Sequence, residues 1–314
     1  MPQWAGSCWY YLRYIDPTND AAPFSADADK AWMPVDLYVG GAEHAVLHLL
    51  YARFWHQVLF DIGLTSHPEP FKKLVHQGMI LGSDGEKMSK SRGNVVNPDD
   101  IVSDTGADSL RLYEMFMGPI DAVKPWQTSQ VQGVVRFMRR AWTVCEDTVE
   151  KEREGEEAPE TVKLLHQTMK KVTEDIEAMS FNTAISAMMV LANHMNGVEG
   201  GVKKESVEKL AIMLCPFAPH IAEEMWEKLG HSDTLAYEPW VEFDESLCVE
   251  TSVVMGVQVN GKVRGEISIN KSEEDESVAM ELALAVDKVK EFVDKGEIKK
   301  IIFRPGRILN LIVK

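Results

Sequence analysis

The spacing of apolar residues changes twice along the chain, and each change predicts a boundary between structural regions. Residues 1–119 combine short apolar runs with glycine turns and amphipathic segments, a mixture typical of an α/β region. Residues 120–247 carry long segments in which apolar positions recur with a period of about 3.6, as in an α-helical bundle. Residues 248–314 return to alternating runs around one helical segment, which predicts a small α+β domain. We therefore predict a multidomain chain with these three regions in order.

The first region contains a strand, two glycines and a helix in direct succession. Residues 35–39 predict a short buried strand, Gly40-Gly41 a turn, and residues 43–60 a helix. Such a unit is half of a Rossmann-like nucleotide-binding arrangement, in which ligands bind at the carboxyl end of the strand. Glu43 and His44 fall at the helix entrance, where a carboxylate can accept hydrogen bonds from ribose hydroxyls. Taken alone, Glu43 is also explained as an ordinary first-turn acid, and His44 as a packed side chain.

A second predicted strand, at residues 75–81, leads into a basic loop from Gly82 to Asn94 with the sequence GSDGEKMSKSRGN. Glycines let a backbone approach a ligand closely, while ammonium groups, hydroxyls and free N–H groups bind phosphate oxygens. The loop is therefore suited to holding a polyphosphate while its charge develops. A solvated surface loop is the alternative for this composition.

The start of one helix and the course of the bundle can be predicted from local signals. Asn97-Pro98-Asp99-Asp100 places an N-cap residue before a proline and two first-turn acids, which predicts a helix start. A further helix is predicted from Ala107 to Met117, ended by Gly118-Pro119. The bundle helices are predicted at residues 129–151, 160–179, 182–196, 205–214 and 219–229.

The last region predicts a hairpin, a helix and two closing strands. Alternating runs at 253–259 and 262–269 flank Asn260-Gly261, a strong hairpin signal. A helix at 277–292 and strands at 299–303 and 308–313 complete a ββαββ arrangement. Basic residues cluster at its turns and ends, either as scattered solubility charges or as a surface for a phosphate backbone. The candidates for contact with a phosphate backbone are Lys262, Arg264, Lys299, Lys300, Arg304 and Arg307.

Composition excludes few classes of function. The 314 residues carry a formal net charge of −16, which argues against nucleic acid only weakly, because an acidic enzyme can carry local basic patches. The four cysteines are scattered without metal-ligand or redox spacing, which suits a reducing compartment. The sequence shows neither a long apolar run for a membrane span nor a signal or transit peptide, so we expect a cytoplasmic location and no membrane partner.

Several segments across the chain resemble the bacterial-type leucyl-tRNA synthetases, a family of class I aminoacyl-tRNA synthetases. The sequence KMSKS at Lys87–Ser91 resembles a signature of the whole class, whereas Gly40-Gly41-Ala42-Glu43-His44 and the terminal domain narrow the resemblance to the leucine enzymes. The other similar segments are Trp4–Tyr14, Asn97–Val102 with Gly106-Ala107-Asp108, and Val257–Gly265.

The resemblance implies an activity in which ATP activates leucine to leucyl-adenylate and the leucine is then transferred to tRNA(Leu). It implies ATP as a substrate, Mg²⁺ arriving with the ATP, and no tightly bound metal. Lys87 and Lys90 are the implied catalytic residues, because they would hold the triphosphate. The implied ATP site consists of Gly40, Gly41, Glu43, Met79, Ile80, Lys87, Met88, Ser89 and Lys90. The implied leucine pocket consists of Ser7, Tyr10 and His44, with Trp4 as a weaker candidate.

One class signature is absent, since no pair among the nine histidines has the His-x-Gly-His spacing. We also find no counterpart of the first strands of the nucleotide fold or of an inserted editing domain. The chain is therefore expected to work with a complementary N-terminal half of the same enzyme. Alternatively, it is a truncated and catalytically inactive fragment that acts at most as a tRNA-binding module. A class I synthetase for methionine or valine is a third, weaker interpretation.

Overall fold

A computed structural model describes residues 4–151, 153–249, 252–270 and 275–314. The chain divides into two compact units, Met1–Phe243 and Asp244–Lys314, each with its own hydrophobic core. The mixed fold class, with α/β, all-helical and small α+β parts, is confirmed. The division of the first 247 residues into two domains at residue 119 stays a prediction.

The amino-terminal part of the larger unit consists of short elements around a parallel strand pair. Its elements are a 3-10 helix Ser7–Trp9, α1 (Tyr10–Tyr14), α2 (Ala26–Trp32), β1 (Tyr38–Gly41), a π-helix Ala45–Leu49, α3 (Leu50–Asp61), β2 (Leu74–Gln77) and β3 (Ile80–Leu81). β1 and β2 pair in parallel, with Tyr38 opposite Leu74 and Gly41 opposite Gln77. The strand predicted at 35–39 thus begins three residues later and ends two residues later, so the two glycines end the strand instead of forming a turn.

The second predicted strand, 75–81, is interrupted at Gly78. β3 leaves β2 and pairs in parallel with β4 (Lys124–Pro125) in a separate sheet. The backbone N–H of Gly78 donates to the carbonyl of Ile120 at 2.7 Å, and a Cβ at Gly78 would lie 1.9 Å from the carbonyl oxygen of Ala122. Glycine is therefore required where two backbones cross, and this contact divides the predicted strand.

Helices predominate after the basic loop. They are α4 (Pro98–Thr105), α5 (Ala107–Phe116), α6 (Thr128–Glu150), α7 (Pro159–Glu177), α8 (Phe181–Asn196), α9 (Lys204–Leu214) and α10 (Pro219–Lys228), followed by a 3-10 helix Leu235–Tyr237. The predicted cap is confirmed, since the Asn97 side chain accepts from the backbone N–H of Asp99. One core runs from Ile101 to Val241 and includes side chains from α4 through α10, so the helices on both sides of residue 119 share it.

Helix α5 is tied to the turn between α9 and α10. The buried Asp108 carboxylate accepts hydrogen bonds from the backbone N–H of Ile221 and from the Nδ1 of His220, both at 2.8 Å. Arg111 donates to the carbonyls of Phe217 at 3.1 Å and Pro216 at 2.9 Å. Asp108 thereby satisfies N–H groups at the start of α10, while Arg111 satisfies carbonyls of the preceding turn.

The smaller unit begins with α11 (Glu245–Cys248) and contains a four-stranded sheet with two helices. Its strands, β5 (Ser252–Val259), β6 (Lys262–Asn270), β7 (Ile298–Arg304) and β8 (Ile308–Val313), lie in the order β6-β5-β8-β7. Asn260 and Gly261 both have positive φ, as the predicted hairpin turn requires. The single helix predicted at 277–292 is instead two helices, α12 (Glu276–Leu284) and α13 (Asp287–Val293). The break places Val286 against β6, where a Cβ at Gly265 would lie 2.8 Å from the Val286 side chain.

Candidate active site

An aromatic and histidine cluster lies where α1, β1 and the π-helix meet. The hydroxyls of Tyr10 and Tyr38 are 2.8 Å apart in a hydrogen bond. The ring of His48 lies 5.7 Å from Tyr10 and 6.0 Å from Tyr38, measured between centroids, and His44 packs edge-on to His48 at 6.5 Å. His44 directly precedes the π-helix and His48 lies within it, an irregularity that often occurs at functional sites.

Burial shifts the pKa of two members of the cluster toward their uncharged forms. Burial, together with the neighbouring His44, lowers the pKa of His48, so its imidazole carries no charge at neutral pH. Burial also raises the pKa of the Tyr38 hydroxyl well above its usual range, and the hydrogen bond with Tyr10 adds to this shift. The Nε2 of His48 is buried and has no hydrogen-bond partner among the described residues. This arrangement suits an apolar side chain and offers one polar atom for orientation.

The predicted leucine-pocket residues are only partly brought together. Tyr10 and His44 both contact the cluster, whereas the exposed Ser7 donates to the carbonyl of Trp4 at 3.3 Å and has no described contact with the cluster. Sequence reasoning missed Tyr38 and His48. A usable signal was the four-residue spacing of His44 and His48, which places both on the same face of a helical segment.

At the carboxyl end of β1, Glu43 lies close to the backbone. A Cβ at Gly41 would lie 2.5 Å from a carboxylate oxygen of Glu43, so the glycine makes room for this side chain. Glu43 is exposed, and no ion pair among the described residues involves it. The carboxylate is therefore available to a ligand at the strand end, which is the expected position for a ribose.

The basic loop follows β3 and presents its lysines to solvent. A bridge joins Leu81 to Lys87, and the Gly82 N–H donates to the carbonyl of Glu86 at 2.8 Å. Lys87 and Lys90 are exposed, and neither pairs with a carboxylate of the described residues. Unpaired ammonium groups on a loop with a defined backbone are suited to bind phosphate oxygens.

Ser89 and two of the three predicted adenine-side residues make contacts within the larger unit. The Ser89 and Ser91 hydroxyls are 2.7 Å apart. Met88 and Ile80 are half-buried and pack against the core of the larger unit, whereas Met79 is exposed.

In the part of the chain that the structure describes, no group of three or more His, Cys, Asp or Glu side chains could hold a metal ion. No described helix is long and apolar enough to cross a membrane.

The basic residues of the smaller unit do not form a single cluster. Lys262 and Arg264 lie on one edge strand, β6, while the others lie on β7 or in the turn after it. Three strand spacings separate the two edges, or about 14 Å. The Arg264 guanidinium packs on the Phe292 ring at 3.7 Å, and Lys299 pairs with Glu297. Lys262, Lys300, Arg304 and Arg307 are exposed and have no such contact with a described residue.

Comparisons with known proteins agree with this architecture. The family model described as tRNA synthetases class I (I, L, M and V) matches residues 8–123, and the anticodon-binding domain of tRNA ligase matches residues 160–280. The chain belongs to the class I aminoacyl-tRNA synthetases, as the loop motif predicted. A leucine–tRNA ligase of Sorangium cellulosum is 57% identical over 313 residues, and one of Leptospira biflexa is 53% identical over 318 residues. Within the class, the chain therefore belongs with the leucine–tRNA ligases.

The chain represents only part of those proteins. Each alignment covers 100% of this chain but 36% of the relative, so the chain spans about a third of the length of the curated relatives it matches. Among solved structures, the ternary LeuRS-tRNA-LeuAMS complex of Agrobacterium radiobacter K84 agrees over 98% of this chain and 41% of that one, with 34% identity and a TM-score of 0.74. A Mycobacterium tuberculosis methionyl-tRNA synthetase with methionyl-adenylate covers 73% of this chain and 50% of its own, at 19% identity and a TM-score of 0.57, which shows the shared fold alone.

Proposed function

We propose that the chain acts in ATP-dependent activation of leucine and its transfer to tRNA(Leu), together with a complementary N-terminal half of the enzyme. The observation that carries this proposal is the loop directly after β3, in which the ammonium groups of Lys87 and Lys90 are exposed and pair with no carboxylate of the described residues. The whole-chain similarity to leucine–tRNA ligases supports leucine as the amino acid.

The aromatic and histidine cluster is proposed to receive the leucine side chain. Tyr10, Tyr38, His44 and His48 supply ring surfaces, and transferring a leucine-sized side chain from water to an apolar site is favourable by about 1.5–3 kcal/mol. A pocket of this kind discriminates by about 1–3 kcal/mol per methylene. Ser7 and Trp4 remain candidates for the rim.

The nucleotide is proposed to lie between the end of β1 and the basic loop. Glu43 would accept from the ribose hydroxyls beside Gly40 and Gly41, and Met79, Ile80 and Met88 would frame the adenine. Lys87 and Lys90, with the Ser89 hydroxyl, would hold the triphosphate that arrives with Mg²⁺. A leucine carboxylate oxygen attacks the α-phosphorus, the bond to the pyrophosphate oxygen breaks, and the ammonium groups offset the charge that leaves with pyrophosphate. Such a step depends on positioning more than on covalent chemistry from the protein.

An exposed apolar stripe supports the need for a complementary half. Val46, Leu50 and Phe54 follow one another at four-residue spacing on the π-helix and α3, and they are 65%, 61% and 59% exposed. The opposite side of α3 buries Ala52, His56 and Leu59. Large apolar side chains aligned on one face mark a surface that another segment covers. We propose that the covering segment belongs to the part of the enzyme that is outside this chain.

The decisive experiment is leucine-dependent ATP–pyrophosphate exchange with this chain alone and with a separately expressed N-terminal half. Exchange in the mixture only is the expected result. Exchange by the chain alone would contradict the need for a partner, and exchange with methionine or valine in place of leucine would contradict the leucine assignment. No exchange in either sample, combined with retained tRNA(Leu) binding, would favour the tRNA-binding module.

A further inference from the structure

The basic loop is closed at its base by one pair of side chains. The Asn94 side-chain amide donates to both carboxylate oxygens of Asp84, each at 3.1 Å, although the two residues are ten positions apart. Gly82 lies directly beneath this pair and is buried. A Cβ at Gly82 would lie 2.7 Å from an Asp84 oxygen and 2.8 Å from the Asn94 amide nitrogen. The pair therefore depends on a glycine at the point where the chain enters the loop.

The same two side chains also hold the backbone inside the loop. The Asn94 carbonyl oxygen accepts from the Ser89 N–H at 2.8 Å, and its amide lies 3.4 Å from the Lys87 carbonyl oxygen. Asp84 accepts from the Glu86 N–H at 3.1 Å. The peptide groups before and after Met88 are thus both fixed by Asn94, while the Met88 side chain packs against the core.

We propose that Asp84 and Asn94 are positioning residues, forming a clasp that fixes the directions in which Lys87 and Lys90 present their ammonium groups. This inference rests on the proposed function, because it assigns the clasp an effect on phosphate chemistry. A carboxylate–amide pair holds more firmly than a neutral pair, because one partner is charged. The loop then approaches ATP with its backbone already ordered, and the reaction does not have to order it.

Trypsin cleavage tests the clasp on the 314-residue chain itself, since Lys87, Lys90 and Arg92 are cleavage sites within the loop. Asn94→Asp places two carboxylates against each other, and cleavage in the loop is expected to rise about tenfold, because proteolysis follows the population of the open form. Asn94→Ala is expected to give a smaller rise. The exchanged pair Asp84→Asn with Asn94→Asp restores one carboxylate and one amide, and cleavage should return to within about twofold of the wild-type rate.

Glu86→Gln is the matched control. Glu86 forms the other charged contact of the loop, with Arg92 at 3.5 Å, and both side chains are more than half exposed. Because exposed ion pairs contribute little, its loss should leave the cleavage rate within about twofold. Equal thermal midpoints for all variants would show that the changes are local.

Kinetics of leucine-dependent exchange, in the mixture with the N-terminal half, test the positioning role. Asn94→Asp is expected to lower kcat at least about tenfold with little change in KM for leucine, and the exchanged pair is expected to recover most of it. A failure of the exchanged pair to restore protease resistance would overturn the clasp. Restored resistance without any kinetic effect of Asn94→Asp would overturn the positioning role. A wild-type mixture without activity would instead refute the proposed function, and with it the positioning role, while the cleavage rates still decide whether the clasp exists.

Discussion

The two ends of the larger unit differ in how far their large apolar side chains are buried. In the helical bundle, side chains such as Met188 and Leu191 of α8 are fully buried in a continuous core. Around α3, comparably large side chains such as Leu50 and Phe54 are mostly exposed. The bundle thus buries these side chains within the chain, whereas the amino-terminal end leaves several of comparable size exposed. The proposed chemistry lies at this less completely buried end.

The largest expected effect is that of Lys90→Ala on catalysis at the less completely buried end. Lys90 is exposed and pairs with no carboxylate in the described part of the chain, so Lys90→Ala should not change folding, but it removes a charge proposed to act on the triphosphate. We expect leucine-dependent exchange in the mixture with the N-terminal half to fall by about 100-fold or more. Lys73→Ala, another exposed lysine of this region, is the control. An unchanged rate for Lys90→Ala would favour the module that only binds tRNA.

Two leucine substitutions test how much a large apolar side chain at each end contributes to the free energy of unfolding. Leu191→Ala leaves a cavity in the bundle core and is expected to cost about 2–5 kcal/mol of unfolding free energy. Leu50→Ala removes an exposed side chain and should change the stability of the isolated chain by less than about 0.5 kcal/mol. Denaturant unfolding of both variants measures the difference.

The two substitutions should rank in the opposite order when their effect on association with the N-terminal half is measured. Leu50→Ala is expected to weaken association with the N-terminal half, because it shortens the apolar stripe, while Leu191→Ala should leave the affinity of the folded fraction unchanged. Titration calorimetry would detect either effect. Equal affinities for wild type and Leu50→Ala would mean that the stripe is not the covered surface.

Local signals predicted most of the bundle and the terminal domain. The helices with apolar residues at a period of 3.6 lie within about two residues of their predicted bounds, because each buries one face against the same core. The helix start at Asn97 and the turn at Asn260-Gly261 each depend on residues that are neighbours in the sequence. Both could therefore be predicted from the sequence as well.

Features set by distant contacts were not predictable in the same way. The strand break at Gly78 is caused by the backbone around Ile120 and Ala122, more than 40 positions away. The break before Asp287 follows from packing of Val286 over Gly265. At the site, the loop motif predicts Lys87 and Lys90 as phosphate-binding residues, which stays a prediction, whereas the hydrogen-bonded pair Asp84 and Asn94 is ten positions apart in a loop that carries no periodic signal.

The smallest expected effect concerns pH and the aromatic cluster. Burial lowers the pKa of His48 below its ordinary 6.5, so the unfolded chain binds more protons than the folded one as pH falls through that range. Stability contributed by neutral His48 is therefore complete above the ordinary pKa and decreases as pH falls toward the lowered value. The protection factors of amides in α1 and the π-helix, which correct for the intrinsic pH dependence of exchange, should fall between pH 7.5 and 5.5 in the wild type. His48→Gln should show a weaker pH response, with the remainder due to His56, whose pKa burial also lowers. His76→Gln, at an exposed position on β2, should respond as the wild type does.

An equal pH response in His48→Gln and wild type would mean that the cluster does not keep His48 uncharged. A charged imidazole would then lie at the site that we assign to an apolar side chain.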